Sequence, residues 1–133
     1  MAVFESDKHA VATKPSALTD FLAVPSNLLE ILPQDRIENW RTEGNTCAFK
    51  IKGLADIQLQ LASSSANEVV YVSTSEKPFE FKLIIQAKGT ENTELSATFD
   101  ADVNTFMAMM LKAPLTNFLN SLGEALSKRY GAI

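Results

Sequence analysis

The side chains able to do chemistry in this chain are few and scattered. His9 is the only histidine and Cys47 the only cysteine. An acid-base or nucleophilic site built on His9 would need a partner held close by. Strand alternation through residues 2 to 12, AVFESDKHAVA, points it opposite to Phe4 and Ala10, toward solvent. Cys47 shares a face with Phe49 and Ile51 and has no charged sequence neighbour to lower its pKa, so it reads as a small buried hydrophobe. Asp100, Asp102 and Asn104 begin like a calcium loop. The sixth position, however, is Thr105 instead of glycine and the twelfth is Leu111 instead of glutamate, so no metal site is expected. Acids just ahead of a helix are favoured by its dipole, which gives this pair a capping or surface role. The chain has no GxGxxG, P-loop, HExxH or GxSxG pattern, and no cofactor is expected.

The elements that must position these groups follow from hydrophobic spacing. In residues 105 to 130, TFMAMMLKAPLTNFLNSLGEALSKRY, positions Met107, Leu111, Leu115, Phe118, Leu122 and Leu126 recur three or four apart. That spacing predicts one long amphipathic helix whose stripe has to be buried. Met107, Met109 and Met110 would give it a pliable wall, and Pro114, which lacks an N–H, predicts a kink. Upstream, residues 14 to 24 read as a short helix with Thr13 or Lys14 at its cap and Pro15 in its first turn. Pro25 interrupts it, Ser26 can cap a second short helix over 27 to 32, and Pro33 stops that one.

Residues 2 to 12 form a first strand. Six more follow at 37 to 42, 47 to 53, 56 to 63, 68 to 75, 78 to 89 and 93 to 103. Ile57, Leu59 and Leu61 oppose Asp56, Gln58 and Gln60. Phe79, Phe81, Leu83 and Ile85 oppose Glu80, Lys82 and Gln86, and Leu95, Ala97, Phe99 and Ala101 oppose Ser96, Thr98, Asp100 and Asp102. Turn signals at Gly44 and Asn45, Gly53, Ser63 to Asn67, Glu76 to Pro78 and Gly89 to Asn92 imply antiparallel hairpins. One-sided alternation means that one sheet face meets water and the other a single core layer, supplied by the terminal helix. The expected architecture is one α+β domain over residues 1 to 133.

Composition narrows the function classes. The 133 residues carry a net charge of -4 with Lys and Arg dispersed, so no basic stripe exists to neutralise phosphates and no nucleic-acid partner is expected. A single cysteine excludes an intramolecular disulfide and suits a reducing compartment. The longest apolar run, FMAMML, is too short to span a bilayer, and the first nine residues lack the apolar run of a signal peptide. A bacterial-type cytoplasmic protein with no membrane span is the expectation, with a homodimer left open.

The stretches FESDKHAVATKPSALTDFLA, LLEILPQDRIENW, ADIQLQL, SEKPFEFKLIIQAK and ADVNTFMAMMLKAPLTNFLNSLGEAL together resemble a small branch of the START/Bet v 1-like superfamily, also called SRPBCC proteins. The resemblance implies a helix-grip fold. In it a curved seven-stranded antiparallel sheet, with two short helices after strand 1, grips a long C-terminal helix on its concave face. It also implies a hydrophobic cavity between sheet and helix that holds a small hydrophobic or amphipathic ligand. By phase, Phe49, Ile51, Leu59, Phe81, Leu83 and Phe99 would line that cavity from the sheet, and Met107, Met110, Leu111 and Phe118 from the helix. Trp40 would stand at the rim, and Tyr71 would offer a polar handle in an otherwise apolar space. Members of the superfamily include polyketide cyclases and chaperone-binding modules. A cyclase or dehydratase would need two inward polar groups, and an interaction module with a collapsed cavity would need an exposed apolar patch. No catalytic residue carries over.

Overall fold

A computed structural model describes residues 2–32, 35–52, 55–74 and 79–131. Its strands are β1 (Ala2–Glu5), β2 (His9–Val11), β3 (Ile37–Glu43), β4 (Thr46–Ile51), β5 (Ala55–Ser64), β6 (Glu68–Ser73), β7 (Phe81–Lys88) and β8 (Thr93–Ala101). The helices are α1 (Pro15–Leu22), a 3-10 turn at Pro25–Glu30, and α2 (Thr105–Tyr130). All strand pairs are antiparallel, in the order β1, β8, β7, β6, β5, β4, β3, with β2 also on β8. The strand expected over residues 2 to 12 is thus two short ones. Ser6 interrupts it by exchanging hydrogen bonds with Ala97, its N–H donating to the Ala97 carbonyl and its Oγ accepting from the Ala97 N–H.

Each strand buries the face its alternation marks. Cys47, Phe49 and Ile51 on β4, Ile57 and Leu59 on β5, Val69 and Tyr71 on β6, and Phe81, Leu83 and Ile85 on β7 all lie inside. β8 follows with Leu95, Ala97, Phe99 and Ala101. Register agrees, since Leu83 opposes both Tyr71 and Phe99. The hairpin joining β7 to β8 requires Gly89 at φ 134, where a Cβ would collide with the Asn92 carbonyl. β3 and β5 each carry a bulge, between Glu38 and Arg41 and between Leu61 and Ser63, and such insertions increase twist and bend a sheet.

α2 covers the inner face along β8, β1 and β2, while α1 packs on β6 and β7 and the 3-10 turn on β3 and β4. Pro15 opens α1 where its missing N–H costs nothing. Pro25 begins the 3-10 turn instead of merely ending α1, and no side chain caps that turn, so Ser26 does not serve there. α2 runs unbroken through Pro114 and starts on Asn104, whose Oδ1 accepts from the Met107 N–H at 2.8 Å. The cap is therefore this amide and neither Asp100 nor Asp102. The turn signals at Gly53 and Glu76 to Pro78, and the stop at Pro33, lie outside the described residues.

The two faces of β5 give a stability test. Leu59→Asp buries an unpaired charge and will cost several kcal/mol, roughly 3 or more, in urea unfolding, whereas Gln58→Asp on the outer face stays within about 1 kcal/mol.

Candidate functional site

The inner space is defined from the helix side by Leu111, Leu115, Phe118, Leu119, Leu122 and Leu126, all buried. Two aromatic groups stand across it. Phe81 and Phe99 stack at 4.8 Å between centroids, and Phe79 meets both edge-on, at 6.1 and 6.4 Å. The second group is a ladder in which Trp40 stacks on Phe49 and Phe49 on Phe118, each step 6.0 Å, linking edge strand β3 to α2. The ladder depends on the β3 bulge, where Asn39 takes φ 57 and restarts the alternation so that the next side chain, Trp40, packs against the core. That resolves a phase the sequence leaves ambiguous.

Nine residues expected to line a cavity are gathered inside: Phe49, Ile51, Leu59, Tyr71, Phe81, Leu83, Phe99, Leu111 and Phe118. They leave almost no surface that water can touch, so protein atoms fill the space between them. Trp40 is half-buried. Met107 and Met110 are not brought to the interior and are 39% and 60% exposed. At 3.6 residues per turn, Met110 falls on the side of α2 opposite Leu115 and Leu122, and Met107 on its flank.

Polar groups inside are committed to backbone. Tyr71 has no exposed surface, and its hydroxyl donates to the Leu22 carbonyl at 2.6 Å, satisfying an acceptor at the end of α1. The expected handle for a ligand is thus in use. Thr93 Oγ1 donates to the Thr13 carbonyl at 2.7 Å, and Thr19 Oγ1 to the Ser16 carbonyl at 3.2 Å. Burial pushes the Cys47 thiol up to about 12, and burial first, then the neighbouring Cys47, raises the Tyr71 phenol.

His9 corrects a sequence expectation. Paired with Leu95, it faces α2, not solvent, and its Nε2 lies 3.2 Å from Asn120 Oδ1, which also accepts from the Asp7 N–H. The ring occupies the place that a side chain at Gly123 would need. Nothing in the spacing from Gly123 to His9 announces this contact, because it joins residues more than a hundred positions apart.

On the outer face a cleft of about 470 Å³ lies over Val72, Lys82 and Asp100, which are neighbours in register, and Asp100 Oδ1 beneath it has no hydrogen-bond partner among the described residues. No group of three or more His, Cys, Asp or Glu among the described residues could hold a metal ion. Nor is any described helix long and apolar enough to cross a membrane.

No protein-family model matches the chain, and no curated protein matches it. Solved structures do. A START superfamily protein from Mycobacterium smegmatis superposes with a TM-score of 0.72 at 12% identity, covering 96% of each chain. The chain has the START/Bet v 1-like fold. Norcoclaurine synthase from Thalictrum flavum, a point mutant in complex with a transition-state analogue, gives a TM-score of 0.74 at 12% identity, with 97% of this chain and 93% of that one covered. The Aha1 dimer from Colwellia psychrerythraea gives 0.63 at 20% identity, with 95% and 96% covered. At such identities the START/Bet v 1-like likeness is one of architecture.

The buried thiol and phenol predict an alkaline instability. Both are neutral when protonated and both have folded pKa values above their unfolded ones. Their contribution is therefore complete below the unfolded pKa and is lost as pH rises through the folded value. Unfolding free energy will hold near neutrality and fall as pH climbs from about 9 toward 12, and Cys47→Ala will shallow that fall in pH-resolved urea titrations. Tyr71→Phe leaves the Leu22 carbonyl without its donor and will cost about 1 to 3 kcal/mol at neutral pH.

Proposed function

We propose that this protein is a non-enzymatic binder of a small apolar or amphipathic molecule, held between the sheet and α2. The supporting observation is the Trp40, Phe49, Phe118 ladder, which leads from a half-buried indole at the sheet edge to the buried face of α2. A flat or chain-like apolar group entering beside Trp40 meets ring faces at every step, and removal of its surface from water contributes roughly 25 cal/mol per Å² before ordering costs. Phe49, Phe118 and the Phe81 and Phe99 pair form the contact surface, with Ile51, Leu59, Leu83 and Leu111 behind them.

Because the interior is filled at rest, binding requires these side chains to part, and affinity is reduced by the fraction of molecules open at any moment. Pro114 favours such opening, since it removes one helical hydrogen bond at the start of the gripped part of α2. A cyclase or dehydratase reading has less support, because Tyr71, Thr93 and Thr19 already donate to backbone carbonyls. An interaction module is the second reading, favoured by the exposed Phe106, Met109 and Met110. The reading takes residues 1 to 133 as one domain acting in the cytoplasm, without cofactor or nucleic acid.

Trp40 is the only tryptophan, so its emission reports on this site alone. An apolar naphthalene-type dye is expected to quench it saturably, a long-chain fatty acid to displace the dye, and native mass spectrometry to retain a lipid-sized adduct. An unresponsive Trp40 together with a bare protein mass would remove the proposal.

A further inference from the structure

α2 carries two apolar stripes, and the sheet explains only one. Leu111, Leu115, Leu119, Leu122 and Leu126 face the core. Phe106, Met109, Met110 and Ala113 are spaced three and four apart and therefore form a second stripe on the opposite side of the helix, bounded by exposed Asn117. It lies in water, with Phe106 72% and Met109 76% exposed. The rest of α2 is tied down. Ser127 Oγ donates to the Ala10 carbonyl, the Ala12 N–H donates to the Gly131 carbonyl, and the Arg129 guanidinium lies 4.5 Å over Phe21 while pairing with Glu30.

We propose that this outer stripe is the interface of a homodimer, in which the first two turns of α2 pack antiparallel against the same turns of a second copy. Size is the first argument. Phe106, Met109 and Met110 are 72%, 76% and 60% exposed, which for side chains of this size is on the order of 400 Å² of largely apolar surface. A standard interface takes about 800 Å² from each partner, somewhat over half of it non-polar, or about 450 Å². The stripe supplies the non-polar share of one such interface, and the flanking Asn104, Lys112 and Asn117 supply a polar rim.

Shape is the second argument. A two-fold axis passing between Met109 and Met110 sets Phe106 of each copy over the small Ala113 of the other and the methionines against one another. Large thus meets small at both ends, and the flexible thioethers fill the centre. A partner of different sequence would need no such self-complementarity. The stripe lies on the side of α2 away from Phe118, so association is read separately from ligand binding at the Trp40 ladder.

Sedimentation equilibrium on the full chain tests this. The wild type is expected at twice its 14.6 kDa mass, with Phe106→Glu and Met109→Glu weakening association by about tenfold or more at unchanged helix content, and with the concentration dependence of Tm lost along with the dimer. Met109→Cys should also form a disulfide-linked dimer on oxidation, since the native Cys47 is buried and does not compete. A wild type that stays monomeric at every concentration, or glutamate variants that dimerise undiminished, overturns the proposal. So does a monomer that binds phosphatidylcholine vesicles through Phe106, which would assign the stripe to a lipid surface.

Discussion

The inner face of the sheet has to be covered, and α2 is what covers it. β4 to β8 turn a continuous apolar surface toward one side, and each fully buried leucine or phenylalanine on it is worth about 1.5 to 3 kcal/mol relative to exposure. α1 and the 3-10 turn cover only parts of that surface, over β6 and β7 and over β3 and β4. The remainder depends on the stripe from Leu111 to Leu126, four of whose members, Leu115, Leu119, Leu122 and Leu126, expose 3% or less. The later turns of α2 follow from this demand: its C-terminal anchors, and the glycine at 123 that lets it settle against His9.

The same demand makes the helix asymmetric. Beyond Leu111 toward its start, only Ala108 is even half-buried, and the bulky side chains there meet solvent. Burial therefore does not account for the phenylalanine and methionines of the first two turns. In the interior, polar atoms are spent on closing helix ends and loops, which leaves ring faces and aliphatic side chains as the exposed chemistry of that space. The fold sets aside two apolar surfaces of different kind, one internal and aromatic, the other external and rich in thioether.

Strand phase was readable because alternation is a local property. Leu59 and Gln58, or Phe81 and Lys82, declare their faces from a few residues of sequence, and the helix stripe declares itself at spacings of three and four. What was not readable depended on irregularity or distance. The bulge at Asn39 shifts Trp40 onto the core by breaking the alternation itself. Ser6 splits the first strand by bonding to Ala97, and His9 turns inward to a glycine on another element. Met110 departs from its expected place for a different reason. An apolar residue on a helix suggests burial, but only the angular position relative to Leu115 decides it, and that position is on the far side. A filled or an open interior looks identical in composition, so packing had to be seen.

The pairing of β1 and β2 with β8 joins residues 2 to 11 to residues 93 to 101. Closing a loop of that span is entropically slow, and the sheet has no edge partner for β8 on that side until it happens. During synthesis β1 and β2 emerge some eighty residues or more before β8, and until β8 follows their backbone groups have no strand partner. Closure of this side of the sheet therefore waits on residues 93 to 130, and a chain stopped before residue 93 would keep a raw margin and a bare oily floor.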